Sequence, residues 1–238
     1  MKYDTESYWK SLHKQWAGRL RSVGHPWLSE EFNQLKYPSE SAAFLVSLEE
    51  MRSGLPERKT LSILDVGVGT GYWTGVSANW CSKAGLQVDA SAVDISEVAL
   101  ESVKSNFPSV ETCLQDLRSV DVDMFSNTFD LVISCYCLHH LVRIEEFLNG
   151  FKFACRSVRE KGFLLVMDPV LTRPFTYLDT IHFESFEGNG IARHLYLLDD
   201  IASKEGLSRY SLPSPSFWMG TLMGTVASGF GCAITPGK

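Results

Sequence analysis

At 238 residues, of which 45% are hydrophobic, the chain is long enough to bury the core of one large domain. A net charge of −6 with no basic block argues against general nucleic-acid binding, which needs a basic footprint, and no apolar run approaches the ~20 residues that span a bilayer. The polar N-terminus, Met1 to Glu6, lacks a signal-peptide core, and Cys81, Cys113, Cys135, Cys137, Cys155 and Cys232 form no C-x-x-C pair, so the expectation is a cytoplasmic protein with buried thiols and no metal site.

Residues 4–22 place Tyr8, Trp9, Leu12, Trp16 and Leu20 at near-helical spacing, which predicts an amphipathic helix that docks onto something. Val23-Gly24-His25-Pro26-Trp27 breaks it. A short helix is expected from Ser29, and a clearer one after Pro38, with Ser39 as N-cap and Phe44, Leu45, Leu48 and Met51 facing inward; Ser53-Gly54 ends it. Leu61 to Val66 is an apolar run without polar alternation, as suits a parallel strand buried on both faces. It stops at Gly67-Val68-Gly69-Thr70-Gly71, and a helix follows over 72–83, closing at Gly85.

A second strand, Gln87 to Val93, delivers Asp94; Ser96 caps the next helix, which Pro108 ends. A short third strand, Val110 to Leu114, delivers Asp116. The fourth, Phe129 to Cys135, leads into Tyr136-Cys137-Leu138-His139-His140. A helix is expected over 141–159, with Leu141, Ile144, Leu148, Phe151, Cys155 and Val158 on one stripe and Gly162 closing it. The fifth strand, Phe163 to Met167, delivers Asp168. Residues 170–198 read as an irregular aromatic insertion facing substrate, Leu198 to Glu205 as the last helix, and 207–212 and 225–234 as two final strands. The alternation predicts an α/β fold: a doubly wound, mostly parallel seven-stranded sheet in a single domain over 1–238, with 1–55 as an N-terminal helical segment and 60–168 as the core.

Three acids, Asp65, Asp94 and Asp116, fall at the carboxyl ends of the first three strands, where doubly wound sheets bind ligands. The glycines reach φ > 0 at no steric cost and let the backbone approach a ligand closely. Their spacing is G-x-G-x-G, whereas a dinucleotide fingerprint reads G-x-G-x-x-G. Asp65 at the strand end would repel a pyrophosphate but suits a ligand carrying an ammonium and a sulfonium. Both features disfavour a nicotinamide enzyme.

Asp65-Val66-Gly67-Val68-Gly69-Thr70-Gly71 resembles the first motif, D/E-x-G-x-G-x-G, of the class I S-adenosylmethionine (SAM)-dependent methyltransferases. The resemblance covers about residues 61–168. It implies a Rossmann-like fold with the N-terminal helices as a lid, SAM as cofactor and S-adenosylhomocysteine as product. It implies further that Gly67, Gly69 and Gly71 cradle the methionine moiety, and that Asp94 accepts both ribose hydroxyls. Ile95 would pack on the adenine, and Asp116 and Leu117 would receive its polar edge. Ser134 and, from the lid, Tyr37 complete the expected cofactor contacts. Leu138-His139-His140 resembles the Leu-His-His or Leu-His-Asp of small-molecule methyltransferases, which implies His139, or else His140, as the base that takes a proton from the acceptor.

The expected reaction is methyl transfer to a small molecule, at a hydroxyl oxygen. Nitrogen or carbon acceptors, protein substrates and a SAM-binding regulatory protein without transferase activity stay open. Ser134-Cys135-Tyr136-Cys137 stands where nucleic-acid amino-methyltransferases carry Asn/Asp-Pro-Pro-Tyr/Phe, so no nucleic-acid partner is expected, nor a membrane.

Overall fold

The computed structural model describes residues 3–55, 57–171, 190, 191, 193–210 and 229–236. Its central strand is β1 (Thr60–Val66), buried without interruption from Ile63 to Val66. The burial follows from position: β1 pairs in parallel with β2 (Gln87–Asp94) on one side and β4 (Phe129–Cys135) on the other. β3 (Glu111–Leu114) extends the sheet beyond β2, and β5 (Val158–Leu171) beyond β4, both parallel. β4 is buried at every residue, which is why its sequence shows no alternation. Beyond the five parallel strands, β8 (Gly229–Pro236) lies antiparallel to β5, and β7 (Leu207–Tyr210) antiparallel to β8. A two-residue strand, β6 (Arg193–His194), pairs with Val170 and Leu171 off the main path.

Successive side chains of a strand point to opposite faces, and the core divides accordingly. Leu61 and Ile63 of β1, with Leu131, Ile133 and Leu165, pack under α2 (Glu30–Met51) and α3 (Tyr72–Lys83) against Tyr37, Phe44, Leu48, Met51, Trp73 and Trp80. Leu64 and Val66, with Val132, Leu164 and Val166, face α5 (Ile144–Ser157) and α6 (Leu195–Lys204) through Phe147, Phe151, Leu198 and Ile201. A smaller cluster joins Ala90 and Ala92 of β2 to Leu100 and Val103 of α4 (Glu97–Asn106). No helix among the described residues is long and apolar enough to cross a membrane.

Several boundaries differ from the sequence expectation. The first helix, α1 (Thr5–Gln15), stops well short of residue 22, and α5 starts at Ile144 and not at 141. Three further differences lie at α2, at the α5–β5 junction and at α6. α2 starts after Ser29, whose Oγ caps Phe32 N–H at 3.2 Å, and runs straight through Pro38. Ser39 is therefore no N-cap; its Oγ donates to Leu35 and Lys36 carbonyls inside the helix. A proline there removes one N–H donor. The helix persists because Lys36 and Glu40 form a buried 2.8 Å ion pair across the proline, and Tyr37, Phe44 and Leu48 bury one face on both sides of it.

The second difference is at Ser157, where α5 ends and β5 begins at once, so Gly162 lies in a strand and closes no helix. A Cβ on Gly162 would meet the carbonyl oxygens of Asp130 at 2.8 Å and Phe129 at 2.9 Å. Lys161 beside it has φ 66, and the β4–β5 register shifts between Phe129 and Leu131. Third, α6 starts at Leu195. Within the expected substrate-facing insertion, 172–189 and 192 lie outside the described residues, as do 211, 212 and 225–228 of the two expected final strands.

Candidate cofactor and acceptor site

The loop between β1 and α3 carries three glycines in the left-handed region, with φ of 76 at Gly67, 53 at Gly69 and 77 at Gly71. L-residues adopt that conformation only at a cost, so the G-x-G-x-G pattern is a backbone requirement first. Space adds to it: a Cβ on Gly67 would run into Cys137 Sγ, and one on Gly69 into Val23 Cγ1. Asp94 fixes the loop from below. Its Oδ2 accepts from Gly69 N–H and its Oδ1 from Ser96 N–H, both at 2.9 Å, so one carboxylate ties the first strand–helix turn to the second.

Above the loop lies a cavity whose space, counting the solvent at its mouth, is about 760 Å³. Of the expected residues, Tyr37, Gly67, Gly69, Asp94, Ile95, Asp116, Leu117 and His140 line it. Asp65, Gly71, Ser134 and His139 do not. Asp65 sits beneath the loop, 1% exposed, where Thr74 Oγ1 donates to its Oδ2 at 2.6 Å. Burial raises its pKa to about 7, against the Thr74 hydrogen bond, and Asp94 adds repulsion. Gly71 faces Phe107 and Val103 of α4's end, so its role is to start α3. Ser134 is fully buried and its hydroxyl has no hydrogen-bond partner.

Asp116 lines the cavity, but its carboxylate is gripped by Arg118, whose Nε and Nη2 donate at 2.9 and 2.7 Å. Arg118 Nη2 also reaches Glu6 at 3.2 Å, and Nη1 stands 3.6 Å from Asp4. Both acids belong to the start of α1 (Thr5–Gln15), where Asp4 is the N-cap. Thr5, Trp9 and His13, four residues apart on one face of α1, line the cavity. Lys10 of the same helix pairs with Glu97 of α4 at 3.2 Å. Thr70 Oγ1 and both ring nitrogens of His13 are buried with no hydrogen-bond partner. Orphaned polar atoms around a glycine-floored cavity fit a ligand rich in hydroxyl, amino and carboxylate groups, which SAM is.

The two histidines after β4 part company. His140 lines the cavity, its ring 4.6 Å from Trp9 and 3.8 Å from His139, centre to centre. His139 turns away, and its Nδ1 meets Asp168 Oδ1 at 2.6 Å. Asp168 Oδ2 also accepts from Leu138 N–H at 3.2 Å. Burial pushes Asp168 up to about 7. Burial, then Arg193 and Lys36, push His139 down to about 3. The ring is held neutral, with one proton serving the short contact. Ile191 N–H donates to the His139 carbonyl at 2.8 Å, and Gly190 leaves no room for a Cβ over the ring edge, 2.8 Å from Cδ2.

Several functional neighbours have no sequence signal. Tyr136 lines the cavity with φ 55, a strained conformation for a bulky residue. Lys36 Nζ lies 4.3 Å from the Tyr136 ring centre and 4.6 Å from that of Tyr37. Only the i,i+4 spacing of Lys36 and Glu40 hinted at their pairing. Asp168 stood at a strand end without an assigned partner, and Arg118 and Arg193 carried no pattern at all. Among the described residues no group of three or more His, Cys, Asp or Glu is placed to hold a metal.

The strand order β3-β2-β1-β4-β5, with the crevice at the carboxyl ends of the strands, is the Rossmann-like methyltransferase fold. Residues 63–162 match the family model described as a methyltransferase domain, so the core of the chain carries a methyltransferase domain. Solved structures agree on the fold. The YcgJ protein from Bacillus subtilis matches with a TM-score of 0.55 at 16% identity, over 72% of this chain and 71% of its own. A SAM-dependent methyltransferase from Mesorhizobium loti gives 0.55 at 17%, over 79% and 96%. A TehB-like SAM-dependent methyltransferase from Corynebacterium glutamicum gives 0.52 at 17%, over 84% and 99%. No curated protein matches the chain in sequence.

Proposed function

We propose that this methyltransferase acts on a small molecule at a hydroxyl oxygen, with α1 as a lid over the cofactor and His140 as the group that takes the hydroxyl proton. The observation that carries the reading is the single cavity that runs from the glycine loop and Asp94 to Tyr136 and His140 beneath α1. A space roofed by Thr5, Trp9 and His13 suits a compact acceptor better than a polymer.

Bound SAM supplies a sulfonium methyl for in-line displacement, with a thioether as leaving group. Alignment contributes most of the rate, on the order of 7–11 kcal/mol in ideal cases. Asp94 takes the ribose hydroxyls on the lone pairs that Gly69 and Ser96 leave open, since each carboxylate oxygen has two. Ile95 and Leu117 pack on the adenine. Asp116 receives the adenine amino group alongside Arg118, by the same lone-pair argument. Gly67 and Gly69 pass closest to the methionine moiety, and Asp65 stabilises the loop and, through it, the ligand's ammonium. His139 does not reach the cavity, so the proton-accepting role passes to His140, with His139 and Asp168 fixing the orientation of its loop.

His140→Ala should lower kcat by about 10²- to 10⁴-fold, the range of a positioned base. S-adenosylhomocysteine affinity should stay within about twofold. Single-turnover methyl transfer to a panel of phenols and alcohols, beside calorimetry, measures both. A His140→Ala enzyme with undiminished kcat on every hydroxyl acceptor would remove the base and redirect the search to carbon or nitrogen nucleophiles.

A further inference from the structure

We propose that His13 of α1 hydrogen-bonds the ribose of the bound cofactor, so that the lid carries a cofactor ligand and is more than a cover. The inference rests on the cofactor reading above and adds a residue outside the glycine loop and the strand-end acids. His13 is 4% exposed, lines the same cavity as Asp94, and leaves both ring nitrogens without a hydrogen-bond partner. Such a group costs free energy unless something else completes it. A neutral imidazole has one N–H donor and one acceptor nitrogen.

The ribose is the part of the ligand that fits. Burial disfavours the imidazolium, and the Asp94 carboxylate is the charge that acts on the ring from across the cavity. The ligand's carboxylate would be repelled by Asp94, and its ammonium would find no anion in His13. A ribose hydroxyl satisfies both neighbours at once. It donates its proton to Asp94 while its oxygen accepts the imidazole N–H. His13 follows Trp9 by one helical turn, with ring centres 5.6 Å apart, and Lys10 and Arg118 hold α1 in place from its other sides. The helix thus delivers the ring to the cavity already oriented.

The test is calorimetric titration of wild type and His13→Phe with S-adenosylhomocysteine and with its 2′,3′-dideoxy analogue, together with the melting temperature of each unliganded protein. Phenylalanine fills the space without a polar atom. The variant should bind S-adenosylhomocysteine about tenfold more weakly, as expected for leaving a buried hydroxyl short of one partner. Wild type and variant should bind the dideoxy analogue alike, and the unliganded variant should melt no lower than wild type. If both ligands lose affinity equally, His13 only packs, and the proposal is overturned; no loss for either overturns it too. Should His13→Phe melt lower, His13→Gln decides: it keeps a donor and an acceptor and should recover most of the affinity that His13→Ala loses. Wild type that binds no S-adenosylhomocysteine at all would instead refute the cofactor reading, and His13 would fall with it.

Discussion

Asp65 and Asp94 end neighbouring strands and look equivalent in the sequence, yet their surroundings give them different jobs. Asp94 borders the cavity and spends part of its hydrogen-bonding capacity on two backbone N–H groups. Asp65 is sealed under the loop with Thr74 as its hydrogen-bond donor. Burial raises its pKa from 3.8 to about 7. Below 3.8 the folded and unfolded chains both carry the neutral acid, and the group's contribution to stability is fully present. As pH rises through about 7 the folded chain must hold a buried carboxylate or release its structure, and that contribution is lost. Asp65→Asn keeps an oxygen for Thr74 and cannot ionise. Thermal unfolding of both proteins between about pH 5 and 8 should therefore show the variant gaining on wild type as pH rises. A gap that stayed constant would mean that Asp65 is ionised throughout and that a cation pairs with it.

At the scale of elements, α2 is where local rules and tertiary packing disagree. A proline inside a helix costs about 3 kcal/mol relative to alanine. Pro38 is exposed, so burial of its ring does little to offset that cost. Pro38→Ala should stabilise the protein by about 1–3 kcal/mol, read from urea unfolding, because it restores an N–H to the helix and removes a ring clash. Destabilisation would mean that the chain breaks at Pro38, as the sequence suggests. The rule that Pro ends a helix is local, whereas the Lys36–Glu40 pair and the Tyr37–Phe44–Leu48 face are visible only once α2 lies on β1. The same logic explains what was legible. Phe129 to Cys135 reads correctly because a strand covered on both faces is mostly apolar, and its one charged residue, Asp130, is met by Ser62 and Arg159. The Gly67, Gly69 and Gly71 turn reads correctly because its φ angles admit little else. The α5–β5 junction does not, since Val158 suits either element and the choice is made by pairing with Phe129.

Taken as a whole molecule, the site is assembled from pieces far apart in the chain, and that is the part no local pattern shows. Parallel register sets Cys135 beside Met167, which brings Asp168 to His139 and leaves His140 to the cavity. Arg118, following β3, reaches back to Asp4 and Glu6, and Glu97 on α4 reaches Lys10, so two separate elements hold α1 down. These contacts lie at the molecule's surface, where ion pairs are individually weak and screened by salt. Asp94, Val68 and Gly69 are buried, where salt screens less than at the surface. Cofactor release through a lifting α1 should then depend on salt more than cofactor contact does. In stopped-flow displacement, S-adenosylhomocysteine should leave wild type faster as ionic strength rises from about 0.05 to 0.5 M, because the Debye length falls to a few ångströms. A Glu6→Gln, Lys10→Gln double variant, already without two of the charges, should release the ligand faster at low salt and respond less to added salt. The dissociation rate of wild type staying flat across that range would mean that α1 does not move for release, and the exit would have to be sought on another side of the cavity.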